Sequence, residues 1–182
     1  MRWEALFTDL EAQLAAAGQA DLEAEIADRQ RGEVAGLDLA ARLRAQRGRS
    51  LSIYLGSAGW PLNGVLGQLG ADWFLLESAA GSHVVALDAV SMIEGMNRYS
   101  VQAAPSVQLR LASALRGLAR DRYPVGLQLR SGQQPLHGSI DRVGRDFLEF
   151  AAVEPGAARR RENISSYRVI PLGQVAAVST IR

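Results

Sequence analysis

Residues 51–77 read LSIYLGSAGWPLNGVLGQLGADWFLLE, and residues 125–151 read VGLQLRSGQQPLHGSIDRVGRDFLEFA. At an offset of 74 the two stretches share their punctuation. Leu51, Ile53 and Leu55 fall on Val125, Leu127 and Leu129. Pro61, Leu62 and Gly64 fall on Pro135, Leu136 and Gly138. Leu66 falls on Ile140, Gly70 on Gly144 and Asp72 on Asp146. Trp73, Phe74 and Leu76 then fall on Phe147, Leu148 and Phe150. The match resumes at an offset of 85, where VVALDAVSMI (84–93) falls on VIPLGQVAAV (169–178), so the second copy holds 11 additional residues within 151–168. Glycine, proline and aspartate at the same places in both copies mark an internal repeat. A repeat outranks any assignment of a single element.

Each copy alternates apolar with polar or small residues, the period of a half-buried strand. In the first copy the pattern predicts strands at 51–55, 62–66, 73–76, 84–87 and 90–93. Five short strands in so little chain imply a small, strongly bent barrel. Gly64 and Gly138 stand where the second strand of each copy must bend, and a side chain there would crowd a curved sheet. Gly70 and Gly144 are expected in left-handed or otherwise open turn geometry. Asp72 and Asp146 are expected to lock those turns by accepting local backbone N–H bonds.

Outside the repeat the period lengthens to that of a helix. Trp3, Phe7, Leu10 and Leu14 form one apolar stripe, which Leu22 and Ile26 continue past Gly18, and this predicts a helix over 2–29. Further helices are predicted over about 33–47 and 107–121, the second with Ser106 as a candidate cap. The chain then divides into an N-terminal helical arm (1–32), a first unit (33–95), a linker (96–106) and a second unit (107–182). An isolated helix with such a stripe is marginal in water. The stripe is therefore expected to dock, on this chain or on a second copy, with a homodimer favoured.

All 20 basic residues are arginine, and there is no cysteine. Disulfides, thiol catalysis and thiolate zinc sites are thereby excluded. The cysteine-free composition fits the cytoplasm. No apolar run is long enough to span a membrane, and MRWEALFTDLEAQL does not read as a signal peptide. The net charge of +1 conceals an acidic front and a basic rear: residues 1–95 carry 7 arginines against 13 acids, residues 96–182 carry 13 against 6. Such a dipole favours head-to-tail or intramolecular docking, and it is not the strong, uniform basic field of a nucleic-acid binder.

The repeated pattern resembles the Sm-like family. Its members carry an apolar-x-apolar-x-Leu strand, a Gly-x-Leu strand, and an aspartate turn before an apolar strand. Leu51–Leu55, Gly64–Leu66 and Gly70–Leu76 match this outline, as do Val125–Leu129, Gly138–Ile140 and Gly144–Phe150. The chain as a whole looks similar to an actinobacterial family with tandem Sm-like barrels. The resemblance implies a mainly β fold with helices: two five-stranded bent barrels, each preceded by a helix, behind the helical arm. The family's RNA-reading residues are missing. No asparagine stands near Trp73–Phe74 or Phe147–Leu148. Ala86–Leu87–Asp88 and Pro171–Leu172–Gly173 replace the family's Ile-Arg-Gly.

Chemistry-bearing residues are few. His83 and His137 have no His or Cys partner at ligand spacing, and no phosphate-loop or nucleophile-elbow motif occurs. No catalytic, cofactor or metal residue is therefore expected, and the chain is expected not to be an enzyme. Arg159, Arg160 and Arg161 lie in the additional segment and are the candidate contact for phosphate or an acidic partner. Arg110, Arg116 and Arg120 add positive charge on the 107–121 helix. The expected role is a non-catalytic interaction or assembly module built on tandem Sm-like barrels, with itself or another protein as partner. The alternative is RNA or DNA binding through the basic C-terminal half, without uridine readout.

Overall fold

The computed structural model describes residues 34–56, 61–102, 108–132, 134–157 and 159–180, together with positions 19, 22, 25, 28, 29 and 32. The stripe of Trp3, Phe7, Leu10 and Leu14, and Ser106, lie outside the described residues. The chain forms two compact units, Met1–Leu39 and Ala40–Arg182. In the first unit the described positions from 19 to 35 are helical, and Arg29 pairs with Glu25 one turn away at 3.3 Å.

Alternating residues in the second unit become strands. The first half of the repeat supplies β1 (Ser50–Leu55), β2 (Leu62–Leu69), β3 (Trp73–Ser78), β4 (Gly81–Ala86) and β5 (Val90–Glu94). The second half supplies β6 (Val125–Leu129), β7 (Leu136–Val143), β8 (Phe147–Val153), β9 (Ile164–Pro171) and β10 (Val175–Thr180). Helix α1 (Leu39–Arg44) precedes the first half and α2 (Leu111–Asp121) the second. Both helices are shorter than predicted.

The two halves agree in register. Leu51 opposes Gly64 as Val125 opposes Gly138. Leu66 opposes Leu76 as Ile140 opposes Phe150. Phe74 opposes Val85 as Leu148 opposes Ile170, and Ile53 opposes Ile93 as Leu127 opposes Val178. Three-residue 3-10 turns, Leu87–Ala89 and Leu172–Gln174, join the last two strands of each half.

The expected pair of Sm-like barrels does not form. All ten strands make one sheet in the order β5-β1-β2-β3-β4-β10-β6-β7-β8-β9, and it is not closed into a barrel. Closing the first half would require β4 to pair with β5, and closing the second would require β9 to pair with β10. Instead β4 pairs with β10, Val84 opposite Val178 and His83 opposite Ser179. Backbone N–H and C=O groups are the same on every strand. An edge therefore bonds to whichever edge the chain brings alongside, and here the other half supplies it.

One apolar cluster runs through both halves. It includes Ile53, Leu66, Phe74 and Val85 from the first and Leu127, Ile140, Phe150 and Val178 from the second. Each large side chain so buried contributes roughly 1.5–3 kcal/mol. Two of the four repeated glycines have a different physical origin from the one expected. Gly70 and Gly144 do not take positive φ. The aromatic ring three residues later, Trp73 or Phe147, folds back over them and leaves no room for a Cβ. At Gly64 and Gly138 an added Cβ would overlap the carbonyl oxygens of Glu77 and Ala151 on the neighbouring strand.

Asp72 also acts differently from expectation. Its side chain crosses to α2 and accepts the N–H of Leu111 at 2.7 Å, capping a helix 39 residues away. The Trp73 indole donates to Leu109 O at 2.9 Å beside it. The far side of α2 is held by Arg116, which donates to Val143 O and Gly144 O. The linker is likewise fastened. Buried Gln46 donates to Asn97 Oδ1 at 2.6 Å and accepts from Asn97 N at 3.0 Å.

Candidate functional site: the two open sheet edges

Only the outermost strands of the sheet, β5 and β9, have a free side, and among the described residues no strand covers either one. A row of unpaired backbone donors and acceptors is a template for another strand. The repeat provides an internal standard for these edges. β5 is the counterpart of β10, and β9 the counterpart of β4. β10 lies between β4 and β6, and its residues Val175 to Val178 are all buried. β5 has the same register on β1, yet Ser91, Met92 and Glu94 are exposed. On β9, Tyr167, Arg168 and Val169 are exposed, Val169 to 70%.

The covered junction shows what such an edge makes when paired. His83 Nδ1 and Ser179 Oγ share a hydrogen bond of 2.7 Å across it. The Ser82 N–H donates to Thr180 Oγ1 at 3.1 Å. Arg130, just beyond β6, donates to Asp88 O at 2.7 Å and pairs with the Asp88 carboxylate. Burial at this junction pushes the His83 pKa below the ordinary histidine value.

The sequence-predicted cations are divided by the structure. Arg159 folds back onto the sheet. Its Nη2 donates to both Asp141 carboxylate oxygens, at 2.6 and 2.8 Å, and its Nε donates to Ser139 Oγ at 2.8 Å. That guanidinium braces the additional loop over β7. Arg160 and Arg161 are exposed beside it. Sequence reasoning missed this brace because Asp141 and Arg159 stand 18 residues apart and no motif or periodicity joins them. The edges were missed as well, since alternation does not distinguish a covered strand from an outermost one.

Two grooves occupy equivalent places in the halves. One of about 880 Å³ lies beside Asn63 and Gly64. One of about 520 Å³ lies beside His137, Gly138 and Arg159. His83 lies on β4 and His137 on β7, apart from each other. Among the described residues no group of three or more His, Cys, Asp or Glu side chains stands close enough to hold a metal ion. No helix among them is long and apolar enough to cross a membrane.

With the barrels goes the premise of both expected roles, the assembly module built on them and the nucleic-acid-binding alternative. The chain matches no protein-family model, no curated protein and no solved structure, so the Sm-like and actinobacterial resemblance read from its sequence is withdrawn.

Proposed function

We propose that the chain is a homo-oligomeric subunit, without a catalytic role of its own, whose two open sheet edges associate with further copies of itself. One observation carries the reading. The pair β4 and β10 is joined within the chain, while their repeat counterparts β9 and β5 keep the same strand pattern and are uncovered among the described residues. Natural sheets blunt such edges with bulges, prolines or short strands. Here β9 has a register irregularity near Ile164 and a proline only at its last position, Pro171, and between them it carries Tyr167 and Val169 in the open. An exposed edge of this kind is stable in water when a partner strand covers it. The complete absence of cysteine supports a cytoplasmic location for this subunit. Light scattering on full-length protein at tens of micromolar tests the reading. A mass of two or more chains is expected, and a monomer at that concentration overturns it.

A further inference from the structure

We propose that β9 of one copy pairs antiparallel with β5 of the next, in the register that β4 and β10 use within the chain, so that Arg168 faces Glu94. The proposal rests on the self-association reading above and adds its polarity and register.

The register is transferred through the repeat. Because β3–β4 and β8–β9 pair identically, His83, Val84 and Val85 correspond to Arg168, Val169 and Ile170. Because β1–β5 and β6–β10 pair identically, Ala177, Val178 and Ser179 correspond to Met92, Ile93 and Glu94. Within the chain Ala177 opposes Val85, Val178 opposes Val84 and Ser179 opposes His83. Between copies the same contact sets Met92 opposite Ile170, Ile93 opposite Val169 and Glu94 opposite Arg168.

The side chains fit this register. Where the inner junction has a neutral His83–Ser179 hydrogen bond, the outer one has a carboxylate opposite a guanidinium, a favourable cross-strand pair. Val169 and Met92, exposed to 70% and 47%, become covered. Pro171, which has no N–H to give, stands at the position of Ala86, just outside the paired span. Joining like edges antiparallel about Ile93 or Val169 would set Glu94 opposite Met92, or Arg168 opposite Ile170, and leave both charges without a cross-strand partner. The outer junction lacks one element of the inner one. The positions equivalent to Asp88 and Arg130 are Gly173 and Gly56, which cannot form that ion pair. Copies therefore separate before the inner junction opens. Pairing unlike edges is heterologous, so the assembly closes into a ring or continues as an open array.

The cysteine-free chain provides a direct test. Ile93→Cys and Val169→Cys proteins are mixed under a mild oxidant. A covalent dimer is expected from the mixture and not from either protein alone. Moving one thiol two residues, with Tyr167→Cys in place of Val169→Cys, should abolish it. Glu94→Arg and Arg168→Glu should each weaken association about tenfold or more, and the two together should restore it to within about threefold. If full-length protein is an oligomer but the mixture fails to cross-link and the charge reversals leave its mass unchanged, the register is wrong while self-association survives. If full-length protein is a monomer, both readings fall.

Discussion

The two halves of the sheet contain the same five strands in the same registers, and they differ at the strands that end them. In the second half β10 is enclosed on both sides. In the first half its counterpart β5 has one neighbour and an open edge. Val178 is 1% exposed, while the equivalent Ile93 is only partly buried. A side chain's burial in this sheet is thus set by the number of neighbours its strand has as well as by its own hydrophobicity. Two further differences have other causes. Trp73 is buried because the chain before α2 lies over it, whereas Phe147, its counterpart, is 37% exposed. Arg159 finds a carboxylate because Asp141 stands where the first half has Gly67.

Matched substitutions in the halves would break or sharpen this comparison. The largest effect is expected at the enclosed strand. Val178→Asp places an unpaired carboxylate in the core and should cost about 3–5 kcal/mol, while Ile93→Asp should cost less than half as much. Denaturant midpoints of the two variants measure the difference, and equal losses would show that β5 is as enclosed as β10. Next come the repeated glycines. Gly64→Val and Gly138→Val both push a side chain into a neighbouring carbonyl, and each should lose about 1–3 kcal/mol. Similar losses would show that both halves are equally tight where their second strand bends.

The turn aspartates should behave unequally, although their positions in the repeat are the same. Asp72→Ala removes the cap of α2 and should cost about 1 kcal/mol, the usual value for losing an N-cap side chain. Asp146 is exposed, and among the described residues its side chain makes no hydrogen bond. Asp146→Ala should therefore change thermal stability little. A comparable loss at both would restore the local turn role that the sequence suggests.

The smallest effect concerns the inner junction and pH. His83 has a folded pKa below its unfolded value of 6.5, because burial disfavours the charged ring. The unfolded chain then binds the proton more readily. The His83 contribution is complete above 6.5 and is lost as pH falls below it. His83→Gln should reduce the decline in unfolding midpoint between about pH 7 and pH 5. An unchanged decline would assign the acid sensitivity to other groups.

Much of this architecture was legible in residue spacing. The strands of both copies, the helix before the second, and the offsets of 74 and 85 all reappear in the pairing registers. The positions of Gly64 and Gly138 were legible too, because a strand packed against a neighbouring carbonyl leaves its mark as a missing side chain. The candidate site was scarcely legible. The long-range partners of Asp72 and Arg159 are 39 and 18 residues away, and no periodicity joins those positions.

The sequence by itself determined the repeat, the positions of the strands and the places where a glycine is needed. These are local properties, set by side-chain alternation and by the space around one residue. Only the tertiary structure decided which edges meet. Backbone hydrogen bonding is indifferent to side-chain identity, so the same five-strand pattern is compatible with a closed barrel or an open sheet. The choice was made when the chain carried β10 alongside β4. That contact satisfied one edge of each half and left β5 and β9 as the free ends of a single sheet.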